Sequence, residues 1–125
     1  MQLTQATARE LGVTNRLDPY QSIMGGVKYL KRLYKRYDKA EEPDRTFIAL
    51  ASYNVGPRHI LSAQRIARKR GFNPNKWSSL EQTLPQLCYE DYIRQSKHGY
   101  CRGTEPVRFV NRIRTYYDIL RRQTL

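Results

Sequence analysis

The 125-residue sequence has no apolar run approaching the roughly 18 residues of a membrane-spanning helix. Residues 1–30 also lack a charged head followed by an apolar block, so neither a span nor a secretory leader is expected within the chain. Acidic residues are scarce, with Asp+Glu 11 against Lys+Arg 23, a net charge of +12. That balance favours anionic partners, whether nucleic acid, anionic lipid headgroups or a polymer bearing carboxylates. Cysteine is limited to Cys88 and Cys101, with no CxxC pair, and His59 and His98 stand alone. No metal site is expected from such a set. The two thiols read either as a disulfide closing a short loop or as two unpaired buried groups. No segment alternates at period two, and there is no internal repeat, low-complexity tract or linker. With 39% hydrophobic residues and ten tyrosines, the composition is too apolar and aromatic for a disordered basic tail.

What is present is helical punctuation throughout, which predicts an all-α single domain over residues 1–125. Thr4 is placed to cap a short helix ended by Gly12. Asp18-Pro19-Tyr20-Gln21 reads as a cap, a proline at the first helical position and a capping-box glutamine. Ile23, Val27, Leu30, Leu33 and Tyr37 form the expected buried stripe of that second helix. Pro43-Asp44 opens a third helix to about Tyr53, and Gly56-Pro57 a fourth to Gly71. Residues 71–103 are less regular, with a short helix near Ser79 to Leu84 and a Gly99-Tyr100-Cys101-Arg102-Gly103 turn. Thr104 caps a last helix with Val107, Val110, Ile113, Tyr117 and Leu120 on its expected inner face. Lysines and arginines at spacings of three and four give the helices solvated basic faces.

Three segments place polar or aromatic residues where packing alone would not require them: Met1-Gln2-Leu3-Thr4, Ala51-Ser52-Tyr53-Asn54-Val55-Gly56 and Glu105-Pro106-Val107-Arg108-Phe109-Val110. In order and spacing they resemble the Met-Gln turn, the Ala-Tyr-Asn segment and the Glu-x-x-x-Tyr-Val segment of lytic transglycosylases of the goose-lysozyme-like, soluble-transglycosylase (SLT) type. The resemblance runs from Met1 to about Tyr117 and includes Gln21-Ser22-Ile23 and Gly25-Gly26-Val27-Lys28-Tyr29-Leu30. The long insertion between Asn54 and Glu105 is closest to the membrane-bound branch of that family. Two departures stand out. Ser52 replaces an alanine, and Phe109 replaces a tyrosine and so lacks its hydroxyl. The family carries its catalytic glutamate in a Glu-Ser pair upstream of the Met-Gln turn, and this sequence contains no Glu-Ser pair.

The resemblance therefore implies a lysozyme-like all-α domain, amino-terminally truncated and missing the helix that bears the general acid and base. The implied substrate is peptidoglycan, cleaved between N-acetylmuramic acid and N-acetylglucosamine with closure of a 1,6-anhydro ring. One glutamate would act first as acid and then as base, where ordinary glycosidases use two carboxylates. No cofactor and no metal are implied. Met1 and Gln2 would line the sugar groove. Tyr53 would stand beside the sugar at the cleavage site, and Asn54 would hold a substrate amide or a loop carbonyl. Glu105 would hydrogen-bond from the opposite wall, with Phe109 packed behind it. The parent would be periplasmic and associated with the outer membrane, and this chain would bind glycan weakly and be inactive alone. Loss of the glutamate-bearing helix would leave an apolar surface open to self-association.

Plainer readings stand beside these. Met1 is also an initiator, Tyr53 and Asn54 a core tyrosine and a helix-end asparagine, and Glu105 a first-turn carboxylate on a helix dipole. At the level of the whole chain, the alternatives are a basic helical nucleic-acid-binding module and a non-catalytic cell-wall-binding domain. Against the first, no helix-turn-helix pair with base-reading side chains is evident.

Overall fold

The computed structural model describes residues 6–7, 12, 18–88 and 103–124. Among them are five helices and no strand: α1 (Pro19–Arg36), α2 (Asp44–Val55), α3 (Pro57–Lys69), α4 (Trp77–Thr83) and α5 (Glu105–Thr124). The expected first helix from Thr4 lies largely outside the described residues, whereas Gly12 is a turn residue.

Local chemistry sets the ends. Asp18 Oδ1 accepts from the Tyr20 amide at 3.0 Å, and Pro19 follows as the first helical residue of α1. The end of α3 is closed by paired bonds from Gly71 N to the Arg68 carbonyl (3.1 Å) and from Phe72 N to the Ala67 carbonyl (2.8 Å). These are the two bonds of a Schellman motif. The Trp77 amide, first of α4, donates to Asp44 Oδ1 at 2.7 Å, so a carboxylate at the start of α2 satisfies an orphan donor of another helix. Lys76 Nζ lies 3.8 Å from the other Asp44 oxygen.

Helix α2 is the hub and packs against each of the other four. Ile48, Ala49, Ala51, Ser52 and Val55 are all buried, as befits a helix apolar on nearly every side. Ile60, Leu80, Leu84 and Val110 complete the core at full burial.

Two inner faces differ from the sequence expectation. On α1, Leu33 and Tyr37 are buried as expected, but Ile23 and Val27 are exposed, at 54% and 37%. The buried residues of α1 are Ser22, Gly25, Gly26 and Leu33, so Leu33 keeps its expected place while small residues replace Ile23 and Val27 on the inner face. Small side chains at a helix contact permit close backbone approach, the interaxial distance being set by the residues there. On α5, Val110 is buried and Val107 and Ile113 half-buried, while Tyr117 and Leu120 are exposed. The apolar spacing continues there without a covering element among the described residues.

Candidate functional site

Tyr53 and Asn54 occupy the last turn of α2. Gly56 ends that helix with φ +98°, its amide donating to the Ser52 carbonyl at 2.8 Å, and Pro57 begins α3 directly afterwards. A residue with a Cβ is strained at that φ, so Gly56 makes the sharp elbow that sets Tyr53 and Asn54 at a helix end. The Tyr53 ring meets Tyr29 of α1 edge to face, with centroids 5.6 Å apart and planes at 80°.

Among the described residues, buried polar atoms without a partner occur at Trp77 Nε1, Thr83 Oγ1 and Gln86 Oε1 and, adjacent in the chain, at Tyr53 and Asn54. The Tyr53 hydroxyl and Asn54 Oδ1 are both buried without a hydrogen-bond partner. Buried polar atoms are normally paired, and leaving one unpaired costs about 1–3 kcal/mol. Burial also pushes the Tyr53 phenol up from its usual value, with Tyr29 adding to the effect. Tyr53 therefore stays a neutral hydroxyl, able to donate or accept.

Beneath the pair, Tyr37 Oη donates to Ser52 Oγ at 2.9 Å in a buried contact. Burial raises the Tyr37 phenol, and the Ser52 hydrogen bond opposes that shift in part. Ser52 thus anchors the end of α1 to the last turn of α2, one residue before Tyr53. Nearby, Arg45 Nε donates to the Tyr34 carbonyl at 2.9 Å, and its guanidinium sits 3.9 Å from the Tyr34 ring centroid. The start of α2 is thereby tied to α1 as well.

Glu105 and Phe109 lie one helical turn apart on α5, Glu105 exposed at its first residue and Phe109 half-buried. A separation of four places them on one side of the helix, with Phe109 behind Glu105. Helix α5 packs against α2, the element that carries Tyr53 and Asn54. Pro106 is fully buried, and Gly103 lies so close to the turn after α4 that a Cβ would collide with the Leu84 carbonyl oxygen. Met1 and Gln2 lie outside the described residues. Cys88 is disulfide-bonded, and Cys101 is outside the described residues. Among the described residues no group of His, Cys, Asp and Glu is arranged to hold a metal.

The sequence model of the transglycosylase SLT domain matches residues 1–76, more than half of the chain. The chain belongs to that family. Its relatives include membrane-bound lytic murein transglycosylase F of Pseudomonas fluorescens, 54% identical over 121 residues, 96% of this chain and 25% of the relative. The proteins of that name from Pseudomonas putida and Stutzerimonas stutzeri are 52% and 51% identical over the same length, again 96% of this chain and 25% of each relative. The chain thus spans about a quarter of the length of the curated relatives it matches.

Within this SLT domain, sequence reasoning missed Tyr29 and Tyr37 as neighbours of the site. The signal for Tyr29 was its place four residues after Gly25, on the small-residue face rather than on the larger apolar stripe. No comparable signal marked Tyr37, whose partner Ser52 is fifteen residues away in sequence. Residues 77–125 carry the second half of the candidate site, Glu105 and Phe109, beyond the segment that the family model matches.

Proposed function

We propose that this chain is the larger part of the glycan-gripping domain of a peptidoglycan lytic transglycosylase. The parent protein cleaves the bond between N-acetylmuramic acid and N-acetylglucosamine and closes the 1,6-anhydro ring. The observation that carries this reading is the adjacent pair of unpartnered polar atoms, the Tyr53 hydroxyl and Asn54 Oδ1. Groups of this kind gain a partner when their side chains turn toward an arriving sugar hydroxyl or N-acetyl amide, which converts a folding cost into binding specificity. Membership of the SLT family supports peptidoglycan as the substrate class.

In this reading Met1 and Gln2 line the groove, and Tyr53 stands at the cleavage site. Asn54 holds an amide, while Glu105 hydrogen-bonds from the α5 side with Phe109 supporting it. None of them is the proton donor. An acid for this reaction needs a raised pKa in an enclosed, mostly apolar pocket, whereas Glu105 is exposed. The general acid and base is the glutamate that the family carries in a Glu-Ser pair, which residues 1–125 do not contain, and on this reading the chain binds glycan weakly and is inactive alone. The parent works in the periplasm against the outer membrane, with peptidoglycan strands as its partner. The disulfide at Cys88 supports an oxidising compartment. No helix among the described residues is long and apolar enough to cross a membrane.

Titration with a muropeptide fragment, followed by NMR, tests the binding half. Tyr53 and Asn54 are expected to shift, and shifts confined to other surfaces would refute the assignment. For the catalytic half, the chain alone is expected to release no 1,6-anhydro-muropeptides from sacculi, while the form extended upstream through the Glu-Ser helix releases them.

A further inference from the structure

The outward face of α1 carries a row that the glycan site does not use. Tyr20, Met24, Lys28, Lys31 and Lys35 are all exposed, and at about 100° per residue they fall within an arc of about 80°. The row runs for roughly 22 Å along the axis. It lies diametrically opposite the Ser22, Gly26 and Leu33 face that packs inward. The helix contains no acidic residue, so nothing within it neutralises the lysines. Tyr20 and Met24, 72% and 49% exposed, extend the row at its amino-terminal end.

We infer that this row is a docking surface for an anionic phospholipid bilayer, holding the domain against a membrane face while the Tyr53 end addresses glycan. The inference rests on the reading above that the parent works beside a membrane. Charge complementarity selects an anionic occupant, and lysines, compact point charges on flexible stems, suit mobile headgroups. Tyr20 and Met24 select lipid among anions, because an aromatic ring and a thioether gain from the headgroup–acyl boundary and gain little from a phosphate backbone. A duplex-reading helix would carry polar base-reading side chains, and the row has none. A second copy of the chain would set like charges against one another.

The test is co-sedimentation of the chain with vesicles of phosphatidylglycerol and phosphatidylethanolamine, and with vesicles of phosphatidylcholine alone. Binding to the anionic vesicles that weakens with added salt is expected, with little binding to phosphatidylcholine. The triple variant Lys28→Gln, Lys31→Gln, Lys35→Gln should lower the partition coefficient on the order of a hundredfold, at roughly fivefold per charge. Tyr20→Ser with Met24→Ser should lower it severalfold at unchanged charge. The triple Arg65→Gln, Arg68→Gln, Lys69→Gln on α3 removes the same charge elsewhere and should have a much smaller effect. Equal losses from the two triples would overturn the proposal, as would tighter binding to duplex DNA than to anionic vesicles. So would binding to sacculi that the α1 triple weakens as much as it weakens vesicle binding. Thermal melts of each variant establish that the surface substitutions leave the fold intact. Muropeptide shifts at Tyr53 report on the glycan reading separately, so either idea fails without the other.

Discussion

Ser52 shows how one small side chain couples packing to the site. Its hydroxyl accepts from a buried Tyr37, so Ser52→Ala leaves a phenol unpaired and should cost about 1–2 kcal/mol in a denaturant melt. Adding Tyr37→Phe should recover most of that loss, because both partners then become apolar. A double variant as unstable as the sum of the singles would show that the bond is not what couples the pair. The same neighbourhood sets an alkaline limit. The Tyr37 and Tyr53 phenols are raised in the folded state, first by burial, so the native form holds these protons more tightly than the unfolded chain. Their contribution is complete below the unfolded value of about 10 and is lost as pH rises from there through the raised folded values. Melting temperature should therefore fall above about pH 10, and fall less steeply in Tyr37→Phe. At this scale Tyr53 and Asn54 were legible as letters of a motif. Their unpartnered atoms were not, since pairing depends on what other helices bring near.

Helix ends were read well from local chemistry, because a cap, a proline or a glycine acts within a few residues of itself. Asp18, Pro43, Gly56 and Gly71 all mark boundaries where expected. Helix faces were read less well. On α1 the larger apolar residues suggested Ile23 and Val27, but the buried face carries Ser22, Gly25 and Gly26, small side chains of the kind that permit close packing at a helix contact. Gly103 is the corresponding constraint for α5, holding its start against the Leu84 carbonyl. Gly103→Ala should drive the two apart and cost about 1–3 kcal/mol, read as a lower melting temperature together with altered NMR shifts at Glu105. An unchanged spectrum at Glu105 would mean that the close approach does not position α5.

At the scale of the whole molecule, apolar side chains remain exposed on α1 (Ile23, Met24, Val27) and on the distal half of α5 (Tyr116, Tyr117, Ile119, Leu120). Exposed apolar side chains favour association, while a net charge of +12 opposes it. Self-association by sedimentation velocity should therefore increase with salt as repulsion is screened, and Ile23→Ser with Val27→Ser should reduce it. A monomer at every salt and protein concentration would contradict this. The sequence by itself determined the helical class, most element boundaries, the basic surface and the family motifs, because these depend on composition and on chemistry within one or two turns of chain. Only the tertiary structure decided which side of α1 is buried, that Ser52 is a buried acceptor, that Tyr29 backs Tyr53, and that two polar atoms at the end of α2 lack partners. Those outcomes are set by contacts between residues far apart in the chain, and no local pattern specifies which neighbour will arrive.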